Sequence, residues 1–378
     1  MKSENLAAKI ETIPLWIILL VAALLYIPLA FLGYGSDSDA QSVVRTGQHF
    51  AATMDYVPSR LPGFFIHEVF TYFLNLLGGS LLTNLGTIGM GILSLACFYK
   101  LCVHWNIPHP ALLTLIFMIH PIVWVSASST MDYLWALGFA LYGFNRLLAK
   151  KYLSAVILFS LAVGCRLSTL FLVTVLILFQ FFKSPGERRK LLLSSTATLG
   201  LSFTFFIPVL DFLEWDFSRW LVLSTGDPAL WTPLLRAGRF FYKNLMFWGL
   251  PAVLWLAVSG IMAVVQRRTK PKFSLDLTDL LCITVIAVYE ILFLLAPIEL
   301  EYLIPLLPFA IMLIGKVFHQ QPLYLMILFA LVLLANFLWI NPARSTSPGQ
   351  TSEVIYGLWF EKGYLLQDIA ARLAMFTP

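Results

Sequence analysis

The chain has 378 residues, 59% of them hydrophobic and only 12% charged, with a formal net charge of +5. Charged residues make up about a quarter of an ordinary globular protein, so this composition, with mean hydropathy +0.83, excludes a soluble domain and indicates a polytopic membrane protein. The excess of cations does not point to nucleic acid, because Lys and Arg fall in short runs between apolar segments, which is how membrane orientation is encoded.

A crossing needs about 20 apolar residues, and about eleven runs fit that description. They lie at 13–33, 81–103, 110–127, 132–149, 152–165, 167–182, 191–210, 244–265, 278–297, 302–316 and 322–340. The first is long enough to span and lacks a small-residue cleavage pattern, so it reads as a retained helix instead of a signal peptide. The 11 Trp and 14 Tyr suit aromatic belts at two interfaces. Cys97, Cys102, Cys165 and Cys282 sit in or beside apolar runs without metal-ligand spacing and read as small packing residues.

Between the first two runs lies the one early stretch dense in ionisable groups, Phe31 to Glu68, holding Asp37, Asp39, Arg45, His49, Asp55, Arg60, His67 and Glu68. Within it, residues 40–53 carry Val43, Val44, Phe50 and Ala51 at helical spacing, which predicts an amphipathic helix in the interface. Tyr56-Val57-Pro58 ends that helix, because proline lacks the amide donor and restricts the residue before it. Pro62-Gly63 predicts a turn, and residues 64–78 a second amphipathic helix leading back to the bilayer.

Residues 152–182 are apolar except for GCRLS at 164–168, with Lys150-Lys151 at one end and Lys183, Arg188, Arg189 and Lys190 at the other. Both ends should face the cytoplasm, so an even number of crossings is required, and two short helices turning at Arg166 supply it. The same rule places Lys2, Lys9, the 266–272 run and Lys316 on the cytoplasmic side, and every one alternates correctly. The N-terminus is then inside and the C-terminus outside. The outer face receives the loop at 34–80, the turn at 126–132, the loop at 211–243, the turn at 297–302 and a tail at 341–378. The tail predicts a short amphipathic helix and is too small to hold a core of its own. The domain reading is a bundle over 1–340 followed by that tail.

Asp37-Ser38-Asp39 stands at the outer end of the first span. Two carboxylates at i and i+2 in a loop can serve one ligand, one taking a proton and the other holding a cation or hydroxyl; the alternative is a helix cap or a solvated loop. Arg60 suits a phosphate or an ion pair with Asp55. Arg166 suits a phosphate or a buried ion pair, or snorkels to the interface. Arg236, Arg239 and Lys243 share one helical face and reach either a lipid phosphate or headgroups. Asp132 is a second acid for the site or the N-cap of the fourth span. His67 and Glu68 match no metal motif and read as polar-face residues or as further site candidates. Glu299, Glu301 and Tyr302 join the outer-face candidates, and Glu290 is an intramembrane carboxylate that is functional or paired with a polar group across helices.

On these motifs the chain resembles the GT-C superfamily of integral-membrane glycosyltransferases, nearest the branch containing protein mannosyltransferases and aminoarabinose transferases. Members carry an acidic DxD, DE or ExD motif in the first outer loop, where Asp37-Ser38-Asp39 stands, followed by a Pro-rich stretch like YVPSRLPG at 56–63. GCRLSTLFL at 164–172 and EYLIPLLPF at 301–309 are weaker echoes, the latter with Glu301 where Arg is usual. The resemblance implies an all-α bundle and inverting transfer of a sugar from a polyprenyl-phosphate donor to a glycan, glycolipid or protein acceptor. It places the site on the outer side of a bacterial inner (plasma) membrane. It also implies a base at Asp37 or Asp39, cations for the leaving phosphate, and in some members a divalent cation (Mg or Mn) at the acidic motif. The rival classes are a lipid-linked sugar flippase and a polysaccharide polymerase or ligase. No internal repeat supports the first, and the 211–243 loop has no His to support the second.

Overall fold

The protein is described by a computed structural model over residues 9–35, 38–220, 232–267 and 275–338. Among these residues every regular element is helical. In chain order they are α1 (Leu15–Tyr26, continued by a 3-10 turn Ile27–Leu32), α2 (Ser38–Thr53), α3 (Phe65–His104), α4 (Pro110–Ile119), α5 (Pro121–Ala127), α6 (Tyr133–Leu148), α7 (Tyr152–Cys165), α8 (Thr169–Lys183) and α9 (Arg188–Thr204). The short α10 (Ile207–Phe212) and α11 (Phe217–Trp220) precede α12 (Pro233–Trp248), α13 (Leu250–Arg267), α14 (Leu277–Leu295), a 3-10 segment (Leu300–Leu306) with α15 (Leu307–Val317), and α16 (Pro322–Leu338).

Among the described residues each apolar run folds largely as helix, and the polar stretch between the first two supplies the two expected helical pieces. The helix predicted at 40–53 is α2; its buried stripe is Ala40, Val43, Val44 and Gly47, with Phe50 half-buried and Ala51 exposed. The second amphipathic helix and the span after it form α3, separated by Gly78 and Gly79, which leave helical dihedrals. Residues 152–182 form two helices, α7 and α8, with Arg166 in extended conformation between them. The span read at 244–265 needs correction: it starts at Leu250, and residues 244–248 end α12, which meets α13 at 88°. Gly249 makes that bend at φ +77°, a conformation that only glycine adopts at no steric cost. A second break, 65° between α4 and α5, falls at Pro121, which has no amide to continue the ladder. Among the described residues, three helical segments are by length and composition able to cross a membrane singly, and up to six if each bent pair counts as one span. The remaining apolar runs are shorter helices extended by turns. The tail at 341–378 lies outside the described residues.

The chain divides into two compact units. The first holds the described residues within 23–94 and 125–220. Its core gathers Ile66, Met90, Trp135, Ala136 and Cys165, with Leu74, Phe139 and Phe205 packed on them. Lipid gives helices no hydrophobic reason to associate, so close approach at small residues decides which faces meet. Gly138 on α6 shows this, since a Cβ there would stand 2.9 Å from the Met90 methyl and 3.0 Å from its carbonyl. Gly143 likewise admits the Phe159 ring of α7 at 2.8 Å. The second unit holds the described residues within 9–22, 95–124 and 232–338, where α4 packs on α15 and α16, and α12 on α13 and α14. All four cysteines are buried and free.

Candidate active site

The first unit gathers four ionised side chains from four separate segments. Asp39 lies in the first turn of α2, where the helix dipole favours a carboxylate. Arg60 comes from the stretch between α2 and α3, in a turn closed by Gly63 N–H donating to the Arg60 carbonyl at 2.9 Å. Gly63 has φ +99° and packs under Val209, so this turn requires glycine. Asp132 ends the turn before α6, and Arg166 occupies the turn between α7 and α8.

These residues form a line of alternating charge. Arg60 Nε stands 3.1 Å from Asp39 Oδ2, and its Nη2 donates to Asp132 Oδ1 at 2.5 Å. Arg166 Nη1 donates to Asp132 Oδ2 at 2.7 Å. The Asp132 side chain is 0% exposed and those of Arg60 and Arg166 are 18% and 11%. Such burial costs several kcal/mol per ion and is tolerated only when pairing and hydrogen bonding are good. Here each guanidinium also lies over an aromatic face: Arg60 is 4.0 Å from the Phe64 ring centroid and Arg166 4.2 Å from that of Tyr133. Burial alone would raise the Asp132 carboxyl, but Arg166 and Arg60 outweigh it and hold it below the ordinary 3.8. The reciprocal holds for Arg60, whose charge burial opposes and Asp132 and Asp39 restore. One donor is left over: Arg60 Nη1 is buried without a hydrogen-bond partner among the described residues.

Several surrounding groups fix this arrangement, and sequence reasoning passed over them. Asn84 Nδ2 donates to the carbonyls of Ala30 (3.0 Å) and Gly33 (2.5 Å), and its Oδ1 accepts from the Thr130 hydroxyl at 2.9 Å. Thr130 N–H donates to the Tyr34 carbonyl at 2.8 Å, and the Tyr34 hydroxyl to Asn75 at 2.7 Å. The entry to the acidic loop is thereby tied to the turn that carries Asp132. Trp220 Nε1 donates to the Pro62 carbonyl at 2.8 Å. No sequence signal marks these polar residues, because Asn84 and Thr83 look like isolated interruptions of an apolar run.

Several sequence expectations take definite form. Arg60 pairs with Asp39 and Asp132, not with Asp55, which is exposed. Asp132 occupies the N-cap position of α6 yet makes no capping bond. Arg166 is ion-paired and buried rather than snorkelling. His67 and Glu68 are 0% and 3% exposed, so the polar-face reading is corrected: both point into the protein, where α3 packs. Asp37 lies outside the described residues. Arg236, Arg239 and Lys243 share α12 in the second unit. Arg239 lines an open groove of about 500 Å³ with Leu234, Leu235, Gly238 and Tyr242, and Arg236 Nε is buried without a partner among the described residues. Glu299, Glu301 and Tyr302 begin the 3-10 segment of that unit, with Glu301 buried. Glu290 accepts from Asn244 Nδ2 at 3.1 Å. Among the described residues no three His, Cys, Asp or Glu side chains gather to hold an ion; Asp39 Oδ2 pairs with Arg60, and Asp37, the other half of the acidic motif, lies outside them.

No family model matches the chain, and no curated protein matches it. A solved structure of ArnT from Cupriavidus metallidurans bound to undecaprenyl phosphate is similar to it over 95% of this chain and 70% of that one, with a TM-score of 0.58 and 15% identity. Likeness at that identity establishes the fold. The chain shares the all-helical fold of that structure, the fold that the sequence resemblance implied.

Proposed function

We propose that this protein is an integral-membrane glycosyltransferase that moves a sugar, with inversion, from a polyprenyl-phosphate-linked donor to a glycolipid, glycan or protein acceptor on the outer face of a bacterial inner membrane. The observation that carries the reading is Arg60, buried between two carboxylates and an aromatic ring with one N–H donor unsatisfied. A buried guanidinium with a spare donor suits an anion that is absent until the ligand arrives. The fold shared with a protein holding undecaprenyl phosphate supports a lipid phosphate as that anion.

In the reaction the acceptor hydroxyl oxygen bonds to the anomeric carbon as the bond from that carbon to the phosphate oxygen breaks. The electron pair stays on the phosphate, whose charge Arg60 and Arg166 offset. The proton lost by the acceptor goes to the Asp37/Asp39 pair. No step is routed through a divalent ion. The orientation read from the basic runs, with the N-terminus cytoplasmic and the site outside, belongs to this proposal.

The test is transfer by purified protein in nanodiscs, with a panel of radiolabelled polyprenyl-phosphate sugars as donors and membrane glycolipid extract as acceptor. One donor is expected to be consumed, and Asp37→Asn or Asp39→Asn to abolish transfer without unfolding, in parallel runs with and without chelator. Failure of every donor, with intact lipid-linked sugar moving between leaflets, would replace the reading with a flippase. Loss of transfer on chelation would put a cation at the acidic motif.

A further inference from the structure

We infer that Glu68 is a positioning residue that aims Arg60, through a three-bond clamp on the stretch between α2 and α3. This inference rests on the function proposed above for what Arg60 does, though not for where it points.

Glu68 sits in the first turn of α3 and is 3% exposed. Its Oε1 accepts from the Ser59 backbone N–H at 2.9 Å and from the Ser59 hydroxyl at 2.5 Å, and its Oε2 accepts from the Tyr56 hydroxyl. An ionised carboxylate is acceptor-only, and here both oxygens are used on the four-residue stretch 56–59. Hydrogen bonds to a charged group are the strong kind, and burial makes each costly to lose. The stretch has no regular structure to hold it, since residues 54–64 contain no helix or ladder. Its fixed points are the turn bond from Gly63 N–H to the Arg60 carbonyl at 2.9 Å, Gly63 packed under Val209, the Tyr56 ring, edge-on to Phe65 at 5.3 Å, the Pro62 carbonyl under Trp220, and, on the N-terminal side of Arg60, the Glu68 clamp. Ser59, bonded to Glu68 twice, is the residue next to Arg60. The backbone from which the Arg60 side chain departs is therefore set, on that side, by a carboxylate that does not itself touch Arg60's partners. Among the described residues no ion pair joins Glu68 to Arg60; beside the electrostatic pull of the guanidinium on the Glu68 carboxylate, the connection runs through the Ser59–Arg60 peptide unit.

Arginine modification by phenylglyoxal, quantified site by site by mass spectrometry on the full chain in detergent, tests this without any need for turnover. Arg166 shares Asp132 with Arg60 but departs from a different turn, so it is the internal reference. Glu68→Ala is expected to raise the Arg60 rate about tenfold, the scale of losing at least one bond to a buried charge, and to leave Arg166 unchanged. Glu68→Gln keeps the shape and one acceptor oxygen, and is expected to raise it by a few-fold; it stands in for the alanine variant if that does not fold. An unchanged Arg60 rate in Glu68→Gln or Glu68→Ala, or an equal rise at Arg166, overturns the inference in favour of a purely structural role. If wild type also transfers sugar, a double-mutant cycle adds a second reading. Glu68→Ala should lower kcat/KM about tenfold in the wild-type background and hardly at all on top of Arg60→Ala; additive losses overturn the inference. If wild type transfers nothing, the proposed function fails while the modification rates still decide the role of Glu68.

Discussion

Two places in the first unit use the same ingredients, one carboxylate and two cations, to opposite effect. At the turn before α6, Asp132 is fully buried between Arg60 and Arg166. At the turn between α8 and α9, Glu187 is met by Lys150 at 3.3 Å, Lys190 at 3.0 Å and the Tyr152 hydroxyl at 3.0 Å. The lysines there are 64% and 63% exposed. Lysine is a well-hydrated point charge on a flexible stem, whereas a guanidinium is planar, weakly hydrated and stacks on aromatic faces. The surface cluster keeps most of its hydration and gains little from pairing. The buried cluster loses its hydration and is committed to its partners. A pair count would rate the two as equals; burial and cation type separate a hydrated basic run from a desolvated constellation.

The largest expected effect tests the buried side of this contrast. Asp132→Ala leaves two guanidinium groups desolvated without their shared partner, which should destabilise the protein by about 3–5 kcal/mol and abolish transfer. Thermal unfolding in detergent measures the first and the donor assay the second. If the variant melts with wild type, the cluster is wetter than its geometry indicates and the comparison fails.

Next in size is the choice of cation. Arg60→Lys keeps the charge but loses the fork that reaches Asp39 and Asp132 together and still leaves a donor free. Transfer should fall about 10²-fold, the usual scale for losing one donor to a developing oxyanion, with melting less affected than in Asp132→Ala. Equal activity would mean that only charge matters at this position.

The acid limb sharpens the contrast further. The Asp132 carboxyl is held below its ordinary 3.8 in the folded state. Its stabilisation is therefore complete above about that value and is lost as pH falls through the folded-state value. Asp132→Asn removes this titration. The stability difference between wild type and Asp132→Asn should be flat near neutrality and shrink below about pH 4, with a slope of at most about 1.4 kcal/mol per pH unit for one proton. A difference independent of pH down to acid unfolding would show that the charge on Asp132 is not what the two arginines stabilise.

The sequence made the bundle legible because apolar runs, Pro and Gly breaks and basic termini are local signals. α2, the α3 kink and the α7–α8 pair all follow from them. It also singled out Arg60, Asp39 and Asp132 as site candidates, and Arg166 as a cation costly between apolar runs. What it did not reveal is that one carboxylate joins residues 72 and 34 positions apart, because such pairing depends on how helices pack. Hence Asp55, near in sequence, seemed as good a partner for Arg60 as any. Glu68 and His67 misled for a related reason: polar residues on an amphipathic helix look solvent-facing until another element covers them. The 244–265 run concealed a bend because apolar residues continue straight through Gly249.

The smallest effect belongs to the surface cluster, and it closes the comparison from the other side. Lys190, with Tyr152 and Lys150, pulls the Glu187 carboxyl down to about 2, the same direction of shift as at Asp132, yet most of it is screened at an exposed site. Glu187→Gln should therefore move the melting temperature by no more than about 2 °C. At 1 M salt, where screening acts within about 3 Å, even that difference should vanish, while the deficit of Asp132→Asn should persist because ions do not enter its surroundings. Two variants, each removing one negative charge from a similar trio, would then respond differently to salt alone. If both deficits vanish together, water and ions reach Asp132 as freely as Glu187, and the argument for a desolvated anion site at Arg60 loses its physical basis.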